Sequence, residues 1–593
     1  MKSPDTAHAG LPFSPGRLLR TVTRLHPAQV GWRLLRTAQQ PFAPAAARRC
    51  GPGTQGALDT ETLSRLRAFL EDAARAGLAA GGGLLEALRS GHPVFLNRAA
   101  SAAGYPWNDA ALPKLWRYQL HGFRWLMLLA LENTHAPRPE DRALARDAFS
   151  DWMRNNPPGT GDGWEPFPVS ERILNWSLAG AVFTPEDLDL RASVEHQARW
   201  LARRFEWDLQ GNHLLKNACA LAVAGAVLGD AALWTRGAAE AMRQFDRQVL
   251  SDGGHCERSP MYHALALWDG LVLHAALGDE HPAAERLRPV LLRMADFLQG
   301  VAHPDGDIPL FNDAVLGEAF PARALADFAA HRCGSAVRLR GDFPDTGVYA
   351  LGNAAGRLLV KAGPVPSVQP GHAHGDPLTF ELSLGNTRML VDAGCHGYAE
   401  SPLRAWCRSV RAHNTAVVDG IEPVEAWSVF RVGNRHAPPF ARVEGGADGA
   451  RFSGEVALPG GVVHRREILC PDSAPAWRVR DAAVRRDGAP GSLLALLHTA
   501  PDAAVSLRED GACLLRRGAA VLLVLPEPGT ALSAHLPGEG EVRFWYCPRF
   551  GVSDPAPTLE VTPSREGEGC CGVWLCPPEA EDAVRAWRKK NPG

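Results

Sequence analysis

The feature that most constrains the fold of this chain is a change of hydrophobic period beyond its middle. From about Thr60 to Ala330, apolar residues recur at three- to four-residue spacing between Pro, Gly, Asp or Asn, which is typical of amphipathic helices. From about Asp345 onwards, short β-rich runs alternate with turn-forming residues. The change predicts a helical region followed by antiparallel β-sheets.

The chain has 593 residues, which is too long for one compact core, so at least two domains are expected. We predict a basic N-terminal segment and linker over 1–58, a helical domain over 59–340 and a sandwich-like antiparallel β-sheet domain over 341–593. Many helices of similar length with short connections fit a bundle, a solenoid or a closed α/α toroid. The periodicity does not choose among these three architectures.

The N-terminal segment contains no acidic residue between Thr6 and Leu58, whereas arginines accumulate there. It could be a basic helix for an anionic surface or polymer. We favour a docking helix with a solvated basic face, followed by a linker near Pro41 to Gly56. The arginines also interrupt the leucines, so we read no secretory signal and expect a cytoplasmic location by default, with a periplasmic one left open.

The overall composition is that of a globular protein. The net charge of −2 gives no indication of nucleic-acid binding, and no segment is apolar over the length needed to span a bilayer. The twelve cysteines are scattered, mostly in apolar runs, and their spacing matches no common zinc-finger pattern. We interpret them as small buried apolar residues.

A polar stretch between Gln369 and Asp419 stands out in the β-rich half. His372 and His374 alternate along a segment that could be extended, while Asp392 and His413 lie at the edges of two short β-rich runs. Each of these residues alone would more often stabilise a turn. Two imidazoles and a carboxylate form a normal donor set for zinc, so the group as a whole predicts a metal site.

Polar loops also open helices in the helical half. Asn212 and His213 precede a long apolar run; a helix cap would explain Asn212 but not His213. Tyr262 follows a Gly-rich polar loop at another helix start, where positive neighbours and the helix dipole could lower its phenol pKa. Two further candidates are the polar turn from Asp305 to Asp313 and the Trp164–Glu165 pair near Arg172.

In combination these motifs resemble a known family. The helical half carries GNH and SPMYH, and the β half carries GHAHGD, VDAG and RAHNT, in the order found in the heparinase II/III-like superfamily of polysaccharide lyases. Alginate-type lyases are relatives of that superfamily. The resemblance implies an α/α toroid joined to antiparallel β-sheets across a long cleft. It also implies cleavage of an acidic, uronic-acid-containing polysaccharide by β-elimination.

The resemblance further implies roles for individual residues. Asn212, assisted by His213, would neutralise the substrate carboxylate. Tyr262 would act as base, acid or both, and His372 would be the second proton-transfer group. The family's zinc ligands match His374, Asp392 and His413, and the ion would be structural. The remaining candidates are predicted substrate contacts: Trp164, Glu165, Arg172, Glu257, Arg258 and Tyr398.

Two other functions remain open from the sequence. One is a zinc hydrolase that uses a metal-bound water. The other is a non-catalytic protein that binds or helps to assemble a polysaccharide, because a fold does not determine a function. Some bacterial members of the superfamily occur with polysaccharide assembly machinery, which makes this second alternative concrete.

Overall fold

A computed structural model describes most of the chain, namely residues 13–51, 57–78, 82–100, 104–183, 190–367, 369–538, 542–565 and 567–591. Across those ranges, helices precede residue 333 and strands dominate from residue 342. The predicted fold class, an α/α toroid followed by antiparallel β-sheets, is confirmed. None of the helices in the described ranges is both long and apolar enough to cross a membrane.

The helices are bounded by prolines, capping side chains and glycines, as the sequence pattern indicates. Ser259 caps the helix that carries Tyr262, and Asp230 caps another by accepting two backbone N–H groups. Their bounds are α1 Pro15–Val22, α2 Pro27–Gln39, α3 Ala43–Arg48, α4 Thr60–Arg75, α5 Gly82–Arg89, α6 Lys114–Gly122, α7 Arg124–Asn133, α8 Pro139–Asn155, α9 Pro166–Phe183, α10 Leu190–Leu201, α11 Gly211–Leu228, α12 Ala231–Gln248, α13 Pro260–Leu277, α14 Pro282–Val301, α15 Ala322–Arg332, α16 Pro402–Cys407 and α17 Glu581–Lys590.

The helical half closes on itself. Helix α4 packs against α7, α9 and α13, which are distant in sequence, and α13 in turn packs against α11, α14 and α15. Because these contacts join helices that are distant in sequence, they indicate a closed toroid and not an open solenoid. Helices α9, α11 and α13 are buried nearly all round, so they form the interior of the toroid, as expected for helices with apolar residues on every face.

The strands are short, and most of their sequences are bounded by Gly, Asn, Asp or Pro. Their bounds are β1 Val94–Phe95, β2 Arg98–Ala99, β3 Asp342–Phe343, β4 Val348–Asn353, β5 Gly356–Lys361, β6 Thr379–Leu384, β7 Thr387–Leu390, β8 Ala416–Val418, β9 Val424–Trp427, β10 Arg431–Arg435, β11 Phe440–Gly446, β12 Gly449–Ala457, β13 Val463–Cys470, β14 Trp477–Val484, β15 Leu493–His498, β16 Ala504–Leu507, β17 Cys513–Arg517, β18 Ala520–Pro526, β19 Thr530–His535, β20 Trp545–Tyr546, β21 Asp554–Pro555, β22 Thr558–Pro563 and β23 Cys570–Cys576.

Three large antiparallel sheets build most of the described β half, beside the two-stranded sheets β9-β10 and β20-β21. The strand orders of the large sheets are β11-β12-β13-β14-β23-β18-β17-β16, β19-β22-β15-β8 and β3-β4-β5-β6-β7. Inward-facing residues of all three, such as Leu358, Phe452 and Ala495, belong to one apolar core. The five-stranded sheet also contacts the toroid, where Phe297 of α14 packs with Phe343 and Leu359. The sheets are therefore fixed directly against the helices.

The N-terminal segment docks on both halves, but with its basic side towards the protein, whereas we expected that side to face solvent. The basic side of α1 and α2 faces the protein, where Arg17 binds Glu425 at 3.1 Å and Arg36 binds Asp208 at 3.1 Å. The prediction of a solvated basic face is wrong for Arg17, Arg20 and Arg36, because Glu425 and the buried Asp208 attract them. The predicted linker is also partly wrong, since α3 occupies part of it.

Helices α11 and α12 approach each other unusually closely, at Gly225 and Gly237. A Cβ at Gly225 would overlap the backbone of Trp234, and one at Gly237 would overlap the backbone of Ala222. We expect Gly225→Ala and Gly237→Ala each to destabilise the protein by about 1–3 kcal/mol, because the helices would be forced apart. Urea denaturation measures this loss.

Gly31→Ala is the matched control for those variants. Gly31 also lies inside a helix, but a Cβ there would meet nothing within 4 Å. Alanine favours helix by about 1 kcal/mol over glycine, so this variant should be unchanged or slightly more stable. Equal effects of all three substitutions would contradict the close packing of α11 on α12.

Candidate functional site

The main candidate site is a cleft of about 700 Å³ between the two halves. The N-terminal helices contribute a third wall to it. Its lining is rich in aromatic and charged side chains, which suits a sugar polymer that carries carboxylates. The main side chains are Arg33, Arg36, Lys114, Tyr118, Trp164, Glu165, Phe167, Arg204, Asn212, His213, Tyr262, His372, Tyr398 and Phe430.

Tyr262 and His372 meet in this cleft, although they come from different halves. Tyr262 lies in the first turn of α13, and its ring centroid is 4.3 Å from that of His372. The Tyr262 hydroxyl also forms a 2.8 Å hydrogen bond with the hydroxyl of Tyr398. Two phenols and an imidazole thus lie within reach of one bound sugar.

Tyr262 is a neutral phenol in this setting. Burial raises its pKa well above the ordinary value, and the negative charge of Asp313 adds to that rise. The expectation that positive neighbours lower the pKa of Tyr262 is therefore wrong, since Arg258 turns away to bond the backbone carbonyls of Asp345 and Thr346. A protonated Tyr262 can donate a proton without prior activation.

Asp313 orients His372. The His372 Nδ1–H group donates to Asp313 Oδ2 at 2.9 Å, while His374 Nε2 lies 2.9 Å from Asp313 Oδ1. Arg404 forms a two-pronged ion pair with the same carboxylate. Burial alone would raise the pKa of Asp313, but Arg404 and the two histidines hold it well below its usual range. An ionised Asp313 leaves Nε2 of His372 as the proton-accepting nitrogen.

Asn212 is held by Glu257. Its backbone N–H donates to Glu257 Oε1 at 2.6 Å, and its Nδ2 group donates to both carboxylate oxygens at 2.9 and 2.8 Å. A Cβ at Gly211, where φ is +54°, would collide with Glu257, so glycine is required at that position. Glu257 is fully buried and accepts hydrogen bonds from Asn212. Contrary to our prediction, Glu257 does not line the cleft and therefore does not contact substrate directly.

His213 supplies positive charge beside Asn212. Its Nδ1 lies 3.2 Å from Glu206 Oε2, and its ring packs on Phe167 with centroids 4.5 Å apart. Burial lowers the pKa of His213, but the buried Glu206 carboxylate outweighs that effect and raises the pKa overall. The imidazolium form of His213 therefore persists to higher pH than it would in an unpaired histidine.

The predicted zinc ligands converge behind the cleft. The donor atoms of His374, Asp392 and His413 lie within 4.8 Å of one another, and all three residues are buried. His413 Nδ1 is bonded to Asp392 at 2.8 Å, yet His413 Nε2 and His374 Nδ1 have no hydrogen-bond partner. Buried nitrogens without partners are costly, so this donor set fits a bound cation.

The predicted substrate contacts divide into two groups. Trp164, Glu165 and Tyr398 line the cleft. Arg172 does not, because its fully buried guanidinium donates to Gln197 Oε1 and to two backbone carbonyls inside the toroid. Arg258 does not either, since it bonds backbone carbonyls at the junction of the two halves. Both predictions of arginine contacts with substrate are wrong.

The sequence analysis missed two residues of the site. Asp313 lies in the polar turn that we had singled out, but nothing in the sequence indicated that it would contact two histidines more than fifty residues away. Arg404 belongs to none of the sequence motifs described above. Only the pairing of its charge with a buried carboxylate in the folded chain identifies it.

Comparisons with known proteins agree with this architecture. Residues 92–331 match the family model described as Heparinase II/III N-terminus, and residues 336–574 match Heparinase II/III-like, C-terminal. A heparin-sulfate lyase of Pedobacter heparinus is 28% identical over 353 residues, which are 51% of this chain and 52% of the relative. A heparin-sulfate lyase of Bacteroides stercoris is 25% identical over 53% of this chain and 56% of its own length. The chain thus spans about half the length of these two relatives.

Two further likenesses cover more of the chain. The FtsZ-localized protein C of Caulobacter vibrioides is 27% identical over 462 residues, which are 70% of this chain and 74% of that protein. A solved heparinase III structure superposes with a TM-score of 0.62 at 15% identity and covers 97% of this chain and 94% of its own. At that identity the structural likeness indicates the fold alone.

Replacing His213 by Gln should remove a pH-dependent part of the stability. Because the folded-state pKa of His213 lies above its ordinary value of 6.5, pairing with Glu206 stabilises the fold fully below pH 6.5. This contribution is lost as the pH rises through the folded-state pKa. We expect the stability difference between wild type and His213→Gln to be largest below pH 6.5 and to shrink as the pH rises above it.

Urea denaturation at a series of pH values measures this difference. Arg36 and Glu257 also influence the charge of His213, so each should remain unchanged in the comparison. A difference that grows with pH would mean that His213 is neutral when folded.

Proposed function

Because the chain belongs to the heparinase II/III-like family, we propose that it is a polysaccharide lyase that cleaves a uronic-acid-containing polysaccharide by β-elimination. The observation that carries this proposal is the meeting of Tyr262 and His372 in one cleft, with ring centroids 4.3 Å apart, beside Asn212 and His213. A proton donor, a proton acceptor and a source of positive charge are then available to one sugar unit.

The reaction needs these three groups for a physical reason. Removing the C5 proton places negative charge next to a carboxylate that is already negative. In the proposed complex, the His213 imidazolium and an N–H of Asn212 lie against that carboxylate and lower the cost of this charge. Glu257 sets the direction of the Asn212 side-chain amide by accepting its hydrogen bonds. To bind the substrate carboxylate, Asn212 must share with it an N–H hydrogen that it donates to Glu257.

Two proton transfers complete the proposed step. His372 Nε2 takes the proton from C5, and the electron pair of that C–H bond forms the C4–C5 double bond. The C4–O bond breaks, and the leaving oxygen takes the proton of Tyr262. The high pKa of Tyr262 suits an acid that must be protonated at the start of each turnover. The adjacent rings then allow the proton on His372 to return to the Tyr262 phenolate.

We propose heparan-type glycosaminoglycans as the first substrates to test, because the two lyase relatives carry heparin-sulfate lyase as their name. The cleft contains cations that could meet acidic groups, but several are already neutralised. Lys114 lies 2.8 Å from Glu165, and Arg36 bonds Asp208. This partial neutralisation favours polymers of modest charge density.

We also propose that zinc binds to His374, Asp392 and His413 and has a structural role. Each of these residues is at most 1% exposed, so substrate has no access to the ion. When bound, zinc would tie together the loops that carry His374 and His413. This burial also argues against the zinc hydrolase alternative, which requires substrate at the metal.

A non-catalytic role is the second candidate. The Caulobacter relative aligns over a larger share of this chain than the lyases do, and its name states a location at FtsZ and no reaction. A protein of this kind would use the cleft to hold a polymer without cleaving it. The acid–base pair Tyr262 and His372 is nevertheless complete, and for this reason we place the lyase first.

The lyase proposal predicts unsaturated uronate products. Incubation with heparan sulfate, heparin, hyaluronan, chondroitin, alginate or bacterial exopolysaccharides should generate new ultraviolet absorbance with at least one polymer. Tyr262→Phe should reduce the rate about 10²–10⁴-fold, because a positioned acid is lost. Tyr349→Phe is the matched control, since the Tyr349 hydroxyl donates to the Ala441 carbonyl and Tyr349 is not among the residues that line the cleft.

The outcomes separate the two functions. Polymer binding without absorbance, across the whole panel, would support the non-catalytic role and reject the lyase. Equal rates for Tyr262→Phe and Tyr349→Phe would reject Tyr262 as the acid.

The zinc proposal predicts about one zinc ion per chain in protein purified without chelators. Asp392→Asn and His413→Ala should lower both the zinc content, measured by mass spectrometry, and the unfolding temperature. His464→Gln is the control, because His464 is also buried and paired with Asp481 but lacks the third ligand. Immediate loss of turnover on chelation, with unchanged unfolding, would instead favour the hydrolase.

A further inference from the structure

Helix α1 exposes the side that a surface helix normally buries. Its polar face docks on the β half, where Arg17 and Arg20 bind Glu425 and the Trp427 indole donates to Thr21 at 3.0 Å. None of its residues is buried. With about 3.6 residues per turn, its leucines fall on the opposite side from these contacts. The apolar face of α1 is therefore directed to solvent.

Helix α2 repeats this arrangement on the helical half. Gln29 donates to the Asp208 carbonyl, and Arg33 and Arg36 bind the Asp208 carboxylate. At about 100° per residue, Leu34 and Leu35 lie away from these docking residues. The only buried residue of α2 is the polar Gln29.

The N-terminal segment contains most of the exposed large apolar side chains, although the rings of Phe13 and Trp32 also contact Trp427 and Trp207. Eight of the twelve such side chains in the described ranges fall between residues 13 and 42, and they are 37% to 69% exposed. Large apolar patches on the surface of a soluble protein usually mark a site of protein or membrane interaction. The eight are Phe13, Leu18, Leu19, Val22, Trp32, Leu34, Leu35 and Phe42.

Exposed arginines accompany this apolar surface. Arg24, Arg48 and Arg49 are exposed, and the sequence has no acidic residue between Thr6 and Leu58. Leu, Phe and Trp together with arginines are the composition of helices that lie in a membrane interface. Arginines near an anionic leaflet are attracted to its headgroups.

We propose that α1 and α2 bind the surface of an anionic lipid bilayer, with their outward apolar side chains inserted at the level of the headgroups. A second copy of this chain is a poorer occupant, because a two-fold contact would place the two sets of arginines against each other. A lipid surface satisfies both features together, since acyl chains accept the leucines and phosphates accept the arginines.

Membrane binding by α1 and α2 would also fix the position of the cleft. The inner side of α2 lines it through Arg33, Arg36 and Thr37, while the outer side carries Leu34 and Leu35. Binding through the outer side would hold the cleft next to the membrane surface. This inference does not depend on the lyase activity, because it rests on the outer surface alone.

Vesicle flotation with the full chain tests the proposal. Wild type should float with vesicles that contain phosphatidylglycerol and phosphatidylcholine, but not with phosphatidylcholine alone. The triple variant Leu19→Glu, Leu34→Glu, Leu35→Glu should lose binding by about tenfold or more, because charge replaces the inserted groups. Arg24→Gln, Arg48→Gln and Arg49→Gln should each weaken binding by about fivefold at low salt.

Leu339→Glu with Leu507→Glu is the matched control, because these leucines are equally exposed but lie outside α1 and α2. It should float like wild type, and unfolding temperatures should verify that all variants are folded. Failure of wild type to float with anionic vesicles at low salt would overturn the proposal. So would a dimer, detected by light scattering without lipid, that the triple variant disperses.

Discussion

The carboxylate of Asp313 is the interaction on which the rest of the site depends. It is fully buried, belongs to the helical half, and receives hydrogen bonds from His372, His374 and Arg404 of the β half. A buried charge is tolerated only when it is paired and hydrogen-bonded. The Asp313 backbone is engaged as well, because its carbonyl accepts from Ser259, which caps the helix of Tyr262. One residue therefore sets the relative position of Tyr262 and His372, the two proposed proton-transfer groups.

Much of the fold could be predicted because local patterns determine it. The change from helical to strand periodicity near residue 340 follows from backbone geometry, and the motifs around Tyr262 and His372 identified side chains that the structure brings together. Asp313 and Arg404 could not be found this way, since their importance comes from long-range charge pairing. Arg172 and Arg258 were misassigned for the same reason: an arginine in a polar motif can equally well bond buried backbone carbonyls.

The N-terminal helices show a different limit of sequence patterns. Amphipathic periodicity identifies a helix with two faces, but it does not determine which face docks. Here the ion pairs to Glu425 and Asp208 bring the arginine faces inward, and the leucines remain outside. Glu425 and Asp208 lie in different halves, so the two helices bridge the halves over the cleft. The same ion pairs therefore place α2 in the wall of the cleft and leave the leucines of both helices exposed.

The proposed zinc site is linked to the proton-transfer histidine through the same carboxylate. His374 Nε2 donates to Asp313 Oδ1, which leaves His374 Nδ1 as the nitrogen available to a cation. A cation at Nδ1 of His374 would keep the proton on Nε2 of His374. The hydrogen bond from that Nε2–H group holds the Asp313 carboxylate in place, and Oδ2 of the same carboxylate orients His372. A buried metal can therefore support catalysis without contacting substrate. Its removal would loosen the packing around His374 and Asp313, so the unfolding temperature and the orientation of His372 would be affected together.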